Sequence, residues 1–336
     1  MAAMTCWGKT MALKDLLADI PICSDPVARN ELAKAYLLSY SSEGNFETCQ
    51  RKFCFNRWKV PTDPTDKIHF AVGKAFHLVN EWTRHGEHCE HTVEAIRPLI
   101  CKAMAEESIT AEIVEYPRQA AMLLQYWKLH KASGLTCAAL EMKIGDEWET
   151  GFIDAVMQNN VGHWWIVDLK TAARFDDSMP PRLGKDPQLL KYASYKEDVA
   201  EKCGLKVDDF QGSLYRVTTK TKIAVKTHEA GPEGSWESYV ARAGVSTYEV
   251  AVVLKDSDII EQEEISAQNV RAARALLAHG IPKANYRKCY DYFSPCEYFS
   301  KCFGKTFAEL KEEVVVFTAE NQICRNVIVE DISVLD

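Results

Sequence analysis

The chain has 336 residues, 47% hydrophobic and 26% charged, with a net charge of −8. No apolar run approaches the roughly 18–20 residues of a membrane span, and the composition is that of a folded globular chain rather than a disordered one. The acidic balance excludes a uniformly basic nucleic-acid-coating surface, although residues 49–59, CQRKFCFNRWK, hold four cations and no acid.

The opening stretch, MAAMTCWGKTMALKDLLADI, lacks the basic start, apolar run and small-residue cleavage site of a signal peptide. A cytoplasmic protein with no membrane association is therefore expected. The 12 cysteines are then expected to be thiols and not disulfides. Most should pack as small hydrophobes, unless their spacing says otherwise. Residues 10–38 read as helical with a break near Pro21–Pro26. SYSS (39–42) reads as a short extended piece ending in a helix N-cap, with helix following to about 58. Pro61 and Pro64 mark a loop. Residues 70–85, 91–108 and 112–132 have helical periodicity.

The period changes at 137. CAALEMKI, WETGFIDAVMQ and HWWIVDLKTA alternate as strands, joined by hairpin-like GDE (145–147) and NNVG (159–162). Residues 186–202 return to helix, 214–229 and 246–255 read as strands, and 258–280 form a helix closed by Gly280 and Pro282. A cysteine-bearing stretch and a helical tail follow. No repeat or low-complexity linker interrupts the chain, so one α/β domain with a helical lobe fits best.

Strand alternation places Phe152, Asp154 and Val156 on one face, and Trp164, Ile166, Asp168 and Lys170 on one face. If the NNVG turn pairs the two strands, Asp154 lies across from residues 167–168. Two carboxylates so close repel unless a cation sits between them. Mg²⁺ or Mn²⁺ suits such oxygen ligands. The other reading of the hairpin alone is a buried Asp–Lys ion pair beside a second aspartate, and both stay open at this point.

Four further patterns occur in order. GKAFHLVNE (73–81) is G-x3-H-x3-E, GFID (151–154) is G-x-x-D, DLKT (168–171) is D-x-K-T, and QLLKY (188–192) is Q-x3-Y. Together they resemble the RecB-type nucleases of the PD-(D/E)XK superfamily, which include CRISPR-associated RecB-like and phage exonucleases. The resemblance runs from about 39 to 304. It implies a restriction-endonuclease-like core, a central mixed β-sheet flanked by helices, with an N-terminal helical lobe. It implies His77, Asp154 and Asp168 as metal ligands and Lys170 as the catalytic lysine. Gln188 and Tyr192 are implied to support the site and contact the DNA strand, and Glu141 is a second-shell candidate.

Cys289, Cys296 and Cys302 are spaced C-x6-C-x5-C, and Cys49 lies in SYSSEGNFETCQRKFCF. That stretch resembles the opening of RecB-type nucleases in which one N-terminal and three C-terminal cysteines hold a [4Fe–4S] cluster. The first gap here is six residues where the commonest family pattern has two. Zinc is the alternative occupant of four thiolates. Cys54 falls on a different helix face from Cys49. Cys6, Cys23, Cys89, Cys101, Cys137, Cys203 and Cys324 show no pairing pattern and are expected to pack. Arg51 and Lys52, beside aromatics, suit DNA phosphates.

The expected organisation is a helical extension (1–38), a nuclease domain (39–304) and a tail (305–336). Within the nuclease domain, the helical part covers about 66–132, the catalytic sheet about 137–255 and the cysteine cluster 289–302. The expected activity is a metal-dependent DNA exonuclease acting on single strands or DNA ends, in phage or bacterial recombination, replication or repair. A helicase or recombination protein is the expected partner class. A non-catalytic iron–sulfur DNA-binding scaffold and an endonuclease of the same superfamily are the alternatives. No G-x4-G-K-[ST] loop occurs, so an ATP-driven motor is not expected in the chain itself.

Overall fold

The computed structural model describes residues 25–63, 68–88, 93–106, 112–176, 178–220, 244–291, 294–303, 316–317 and 323–324. The expected helical segments over 10–24 and after 304, the strand beyond 220, and Cys6, Cys23 and Cys89 lie outside them. The chain divides into two compact units. One is Leu37–Tyr40 with Lys67–Val270; the other is Met1–Tyr36, Ser41–Asp66 and Arg271–Asp336. No described helix is long and apolar enough to cross a membrane.

The larger unit is built on a five-stranded mixed sheet. Its strands are β1 (Thr136–Gly145), β2 (Thr150–Gln158), β3 (Trp164–Ala172), β4 (Phe210–Thr219) and β5 (Thr247–Val252), in that spatial order. Only the β3–β4 pair is parallel. A parallel pair needs a crossover. Here it runs through α7 (Pro180–Leu183), α8 (Pro187–Ser194) and α9 (Lys196–Cys203). The two hairpin turns are fixed by their own side chains. Asp146 Oδ1 accepts the N–H groups of Trp148 and Glu149 at 2.7 and 2.9 Å. Asn159 Oδ1 accepts those of Val161 and His163 at 3.1 and 3.0 Å.

Helices α4 (Ile68–Trp82), α5 (Val93–Glu106) and α6 (Glu112–Ser133) cover one sheet face. Phe76, Val79, Ile96, Ile100, Leu123 and Trp127 pack there with Ala155, Met157, Val167 and Leu169. α8 and α9 cover the other, where Tyr192, Val199 and Ala200 pack on Ile153, Val156, Trp164 and Ile166. A sheet with both faces buried needs apolar residues on both, which explains the near-continuous apolar run WWIV of β3. This is the α/β architecture expected from the sequence, a restriction-endonuclease-like core. Arg216 of β4 is fully buried and bonded to Glu249 at 2.6 Å and to Ser133 at 3.2 Å.

The smaller unit contains α1 (Pro26–Lys34), most of α2 (Tyr40–Thr48), α3 (Gln50–Arg57) and α11 (Phe299–Phe303), together with the last turns of α10 (Asp256–His279). Phe53 packs edge-on to Tyr36 and Phe46, and Phe55 to Tyr298. Polar links tie its Ser41–Asp66 and Arg271–Asp336 stretches together: Asn285 Nδ2 donates to Thr48 O at 2.9 Å, and Ser300 N–H to Asp63 Oδ2 at 2.7 Å.

Three local expectations change. SYSS is not extended; Tyr40–Ser42 already belong to α2. The helix expected to 58 is broken at Cys49, whose backbone is extended (φ −156°, ψ 102°). The helix expected over 186–202 is two, separated at Tyr195. Of the cysteines expected to pack, Cys137 is buried and Cys203 partly so, but Cys101 is exposed.

Candidate metal centre and cysteine cluster

Helix α4 supplies the first side chain of the centre. Val72, Ala75, Phe76 and Val79 recur at helical spacing and are all buried. His77 lies beside that stripe. Gly73, one turn earlier, faces β3: a Cβ there would meet Thr171 Oγ1 at 3.1 Å. The absence of a side chain lets α4 lie close to the strand that carries Asp168 and Lys170.

Two strands break their alternation at the site. Ala155 and Met157 pack with Phe76 and Val79, whereas Ile153 and Val156 both pack on the opposite face. In a regular strand 153 would share a face with 155. The interruption falls at Asp154. Backbone pairing between β2 and β3 stops at Ala155↔Val167. Beyond it, Asp154 Oδ2 accepts the N–H of Leu169 at 2.6 Å. Across on β1, Glu141 lies between the pairs Leu140↔Ala155 and Met142↔Ile153. Its φ is 42°, the left-handed region that a non-glycine residue enters at a cost. The expected sharing of one face by Phe152, Asp154 and Val156 is thus overturned. Phe152 is 52% exposed, Val156 is in the core, and Asp154 turns to His77.

The result is a compact donor set. His77, Glu141 and Asp154 each offer a ligand atom, all within 4.8 Å of one another. His77 Nδ1 is 3.5 Å from Asp154 Oδ1. Glu141, expected only as a second-shell candidate, offers its ligand atom alongside those of His77 and Asp154. Asp168 is fully buried on the next strand. Its Oδ1 accepts from Lys170 Nζ at 2.7 Å, and its Oδ2 is buried with no hydrogen-bond partner.

The electrostatics follow from this crowding. Burial and the Asp154 charge push Glu141 up to about 7. Burial, partly offset by Lys170, pushes Asp168 up to about 6. Burial also opposes the charge on Asp154, but His77, Lys170 and the Leu169 N–H outweigh it and hold that carboxyl below its ordinary range. Burial would lower His77, yet Asp154 raises it. Lys170 is raised despite burial by Asp168 and Asp154, so it stays charged. Three carboxyls and an imidazole, with one carboxylate oxygen orphaned, fit a hard divalent cation.

Gln188 and Tyr192 sit on α8, whose N-terminus is set by Pro187 and by Asp186 Oδ1 accepting the N–H of Gln188 at 2.9 Å. Gln188 Nε2 donates to Tyr192 Oη at 2.8 Å. Asp168, Asp154 and Lys170 all act on the Tyr192 hydroxyl, which burial raises. The sequence-expected set His77, Asp154, Asp168, Lys170, Gln188 and Tyr192 is thus gathered in one unit.

The four expected cysteines are gathered in the other. Cys49 precedes α3 and its Sγ accepts the Asn285 N–H at 3.4 Å. Cys289 Sγ donates to the carbonyl of the same Asn285 at 3.7 Å, and Cys296 N–H donates to Cys289 O at 2.8 Å. Burial and the neighbouring sulfurs raise Cys289 to about 12. Among the described residues, no three of these sulfurs lie within 4.8 Å of one another. Sulfurs around a tetrahedral zinc would be about 3.8 Å apart. Cys54, by contrast, is buried in the aromatic core. Arg51 bonds the Cys302 thiol and reaches Tyr286 Oη at 3.5 Å, and Lys52 pairs with Glu297 at 3.2 Å.

A family model described as the PD-(D/E)XK nuclease superfamily matches residues 37–303. A solved chain described as "Crystal structure of SSO0001" is similar at 15% identity, covering 68% of this chain and 88% of that chain, with a TM-score of 0.22. No curated protein matches. The family match spans most of the chain, including every residue of the donor set and all four cysteines. The chain belongs to the PD-(D/E)XK nuclease superfamily, whose members are nucleases that use divalent metals such as Mg²⁺ or Mn²⁺.

Proposed function

We propose that this chain is a metal-dependent DNA exonuclease acting on single strands or DNA ends. The observation that carries the reading is the convergence of His77, Glu141 and Asp154 beside the buried Asp168–Lys170 pair. His77, Glu141 and Asp154 would hold Mg²⁺ or Mn²⁺, with the unpartnered Oδ2 of Asp168 as a further oxygen ligand. Such an ion supplies a Lewis acid for a phosphoryl oxygen and a more acidic water.

The chain's own groups do the rest. Lys170 is held protonated by Asp168, so it serves as a hydrogen-bond donor and fixed positive charge. It orients the attacking water and stabilises negative charge as it develops on the phosphate. Asp168 holds that ammonium in place. Gln188 and Tyr192, locked to each other, support the site from α8 and face the strand. The expected settings are recombination, replication or repair.

The cysteines support a [4Fe–4S] cluster over zinc. No three of their sulfurs are gathered as closely as a zinc tetrahedron holds them, and Cys49 comes from the N-terminal stretch while the other three come from the C-terminal one. Such a cluster would link the two stretches of the smaller unit. Anaerobic purification followed by iron and acid-labile sulfide analysis tests it. Iron and sulfide in equal amounts, lost in Cys296→Ser, is the expected result; zinc alone overturns it.

The activity test offers end-labelled linear and closed circular single-stranded DNA with Mg²⁺ or Mn²⁺, beside Asp168→Ala and Lys170→Ala. Degradation of the linear strand only, lost in both variants, is the expected result. Cleavage of the circle would make the enzyme an endonuclease. Binding without metal-dependent cleavage of single-stranded or duplex DNA would make it a scaffold.

A further inference from the structure

Beyond the reacting groups, the same sheet face carries an aromatic pair that the family resemblance does not assign. Phe175 follows the C-terminal end of β3, and Tyr248 lies near the start of β5. Their rings stack with centroids 4.4 Å apart and planes 12° from parallel. Tyr248 remains 38% exposed. The buried Phe76 and Tyr126, by contrast, pack edge-on. An open, parallel stack leaves a flat π-face to a partner.

The register fixes where that face lies. Lys170 of β3 pairs with Val217 of β4, and Val217 pairs with Tyr248 of β5. Residues paired laterally across a sheet project to the same face. Tyr248 therefore shares a face with Lys170, two strands and about 10 Å away. The adjacent row, Asp168–Tyr215–Val250, lies on that face too. Both rings stand at the carboxyl edge of the parallel pair β3–β4, where open α/β sheets bind ligands. Arg174, with its side chain 80% exposed, immediately precedes Phe175. A flat ring in the row of the Lys170 ammonium, with the exposed Arg174 guanidinium, 3.6 Å from Asp176, next to it in sequence, suits the alternation of base and phosphate in an unpaired nucleic-acid strand.

We propose that the Phe175–Tyr248 stack is a base-binding platform that seats an unpaired DNA base next to the phosphate held at Lys170. The platform positions the strand for cleavage and does not take part in the bond-breaking. It rests on the DNA-cleaving reading given above. The site prefers no sequence, because every base has a π-face, but it requires a base to be present.

The test uses the full chain in Mn²⁺ with single-stranded oligonucleotides, each carrying one abasic residue at a successive position. With the wild-type protein, one abasic position raises KM about tenfold with kcat unchanged. Tyr248→Leu keeps the apolar volume and removes the aromatic face. It raises KM for the intact strand by the same factor and shows no added penalty at that abasic position. Tyr248→Phe behaves as wild type. Thermal unfolding of each variant guards against a folding defect, and Phe175→Leu provides an independent second removal. If the Tyr248→Leu and abasic penalties multiply, or if both Leu variants match wild type, the platform is wrong while the nuclease reading stands. If the wild-type chain cleaves no DNA, both fall.

Discussion

Asp154 and Leu169 are joined by a hydrogen bond that replaces a rung of the β2–β3 ladder: the carboxylate Oδ2 accepts the Leu169 N–H at 2.6 Å. One side chain thus both completes the sheet and faces the metal centre. Asn keeps an acceptor for the N–H, whereas Ala does not. Asp154→Ala should be about 1–2 kcal/mol less stable than Asp154→Asn by denaturant melts. Both should lose Mn²⁺ binding by calorimetry and lose cleavage.

The metal-free protein should lose stability as pH rises. Glu141 titrates near 7 in the folded chain against an ordinary 4.5, and Asp168 near 6 against 3.8. His77 is also raised. In each case the folded state holds protons that the unfolded chain has released, so stability falls with increasing pH: over 3.8 to about 6 for Asp168, over 4.5 to about 7 for Glu141, and above 6.5 for His77. Asp154 is shifted the other way, and its effect is confined to pH below its ordinary 3.8. The melting temperature without metal should therefore drop across this window, and Glu141→Gln or added Mn²⁺ should flatten the drop. A rising curve would count against the crowded carboxyls.

Lys170→Ala removes the partner of a fully buried carboxylate. Cleavage should fall by roughly 10²–10³-fold, the scale of losing a preorganised charge. The variant should also melt lower at neutral pH than at pH 5, where Asp168 can take up a proton. Lys170→Met with Asp168→Asn should recover the stability but not the activity.

Gly73→Ala places a methyl 3.1 Å from Thr171 Oγ1. Alanine gains about 1 kcal/mol of helix propensity over glycine, which offsets the crowding, so the melting temperature should change little. The Thr171 hydroxyl and the helix carrying His77 must part by a few tenths of an ångström, and activity should fall about tenfold. Adding Thr171→Ala opens the space and should restore much of it.

Much of the sheet was legible because its strands alternate cleanly and its turns carry Gly, Asn and Asp at fixed places. The resemblance picks out His77, Asp168, Lys170, Gln188 and Tyr192, and each of them sits in a regular stretch of helix or strand. Asp154 lies off the face that strand alternation gives it, because the interruption beside it comes where the strand meets β3 and α4 and leaves no mark on local hydrophobic period. The place of Glu141 beside His77 and Asp154 is hidden for the same reason: nothing in ALEMK announces a left-handed residue in mid-strand. The helix break at Cys49 was equally hidden, because it depends on contacts with Asn285, more than 200 positions away. Arg51 and Lys52 looked like open cations, yet both are engaged by residues near the cysteines.

The left-handed backbone of Glu141 has a consequence for lineages as well as for chemistry. A residue held there forgoes about 1–3 kcal/mol that a glycine would not. Glu141→Gly should therefore yield a hardier protein that no longer gathers its metal. On the metal-binding role proposed above, it is the cutting that requires a glutamate at this strained position. In a descendant released from that duty, drift would find glycine at this position an easy gain, and the enzyme would grow sturdier as it went silent.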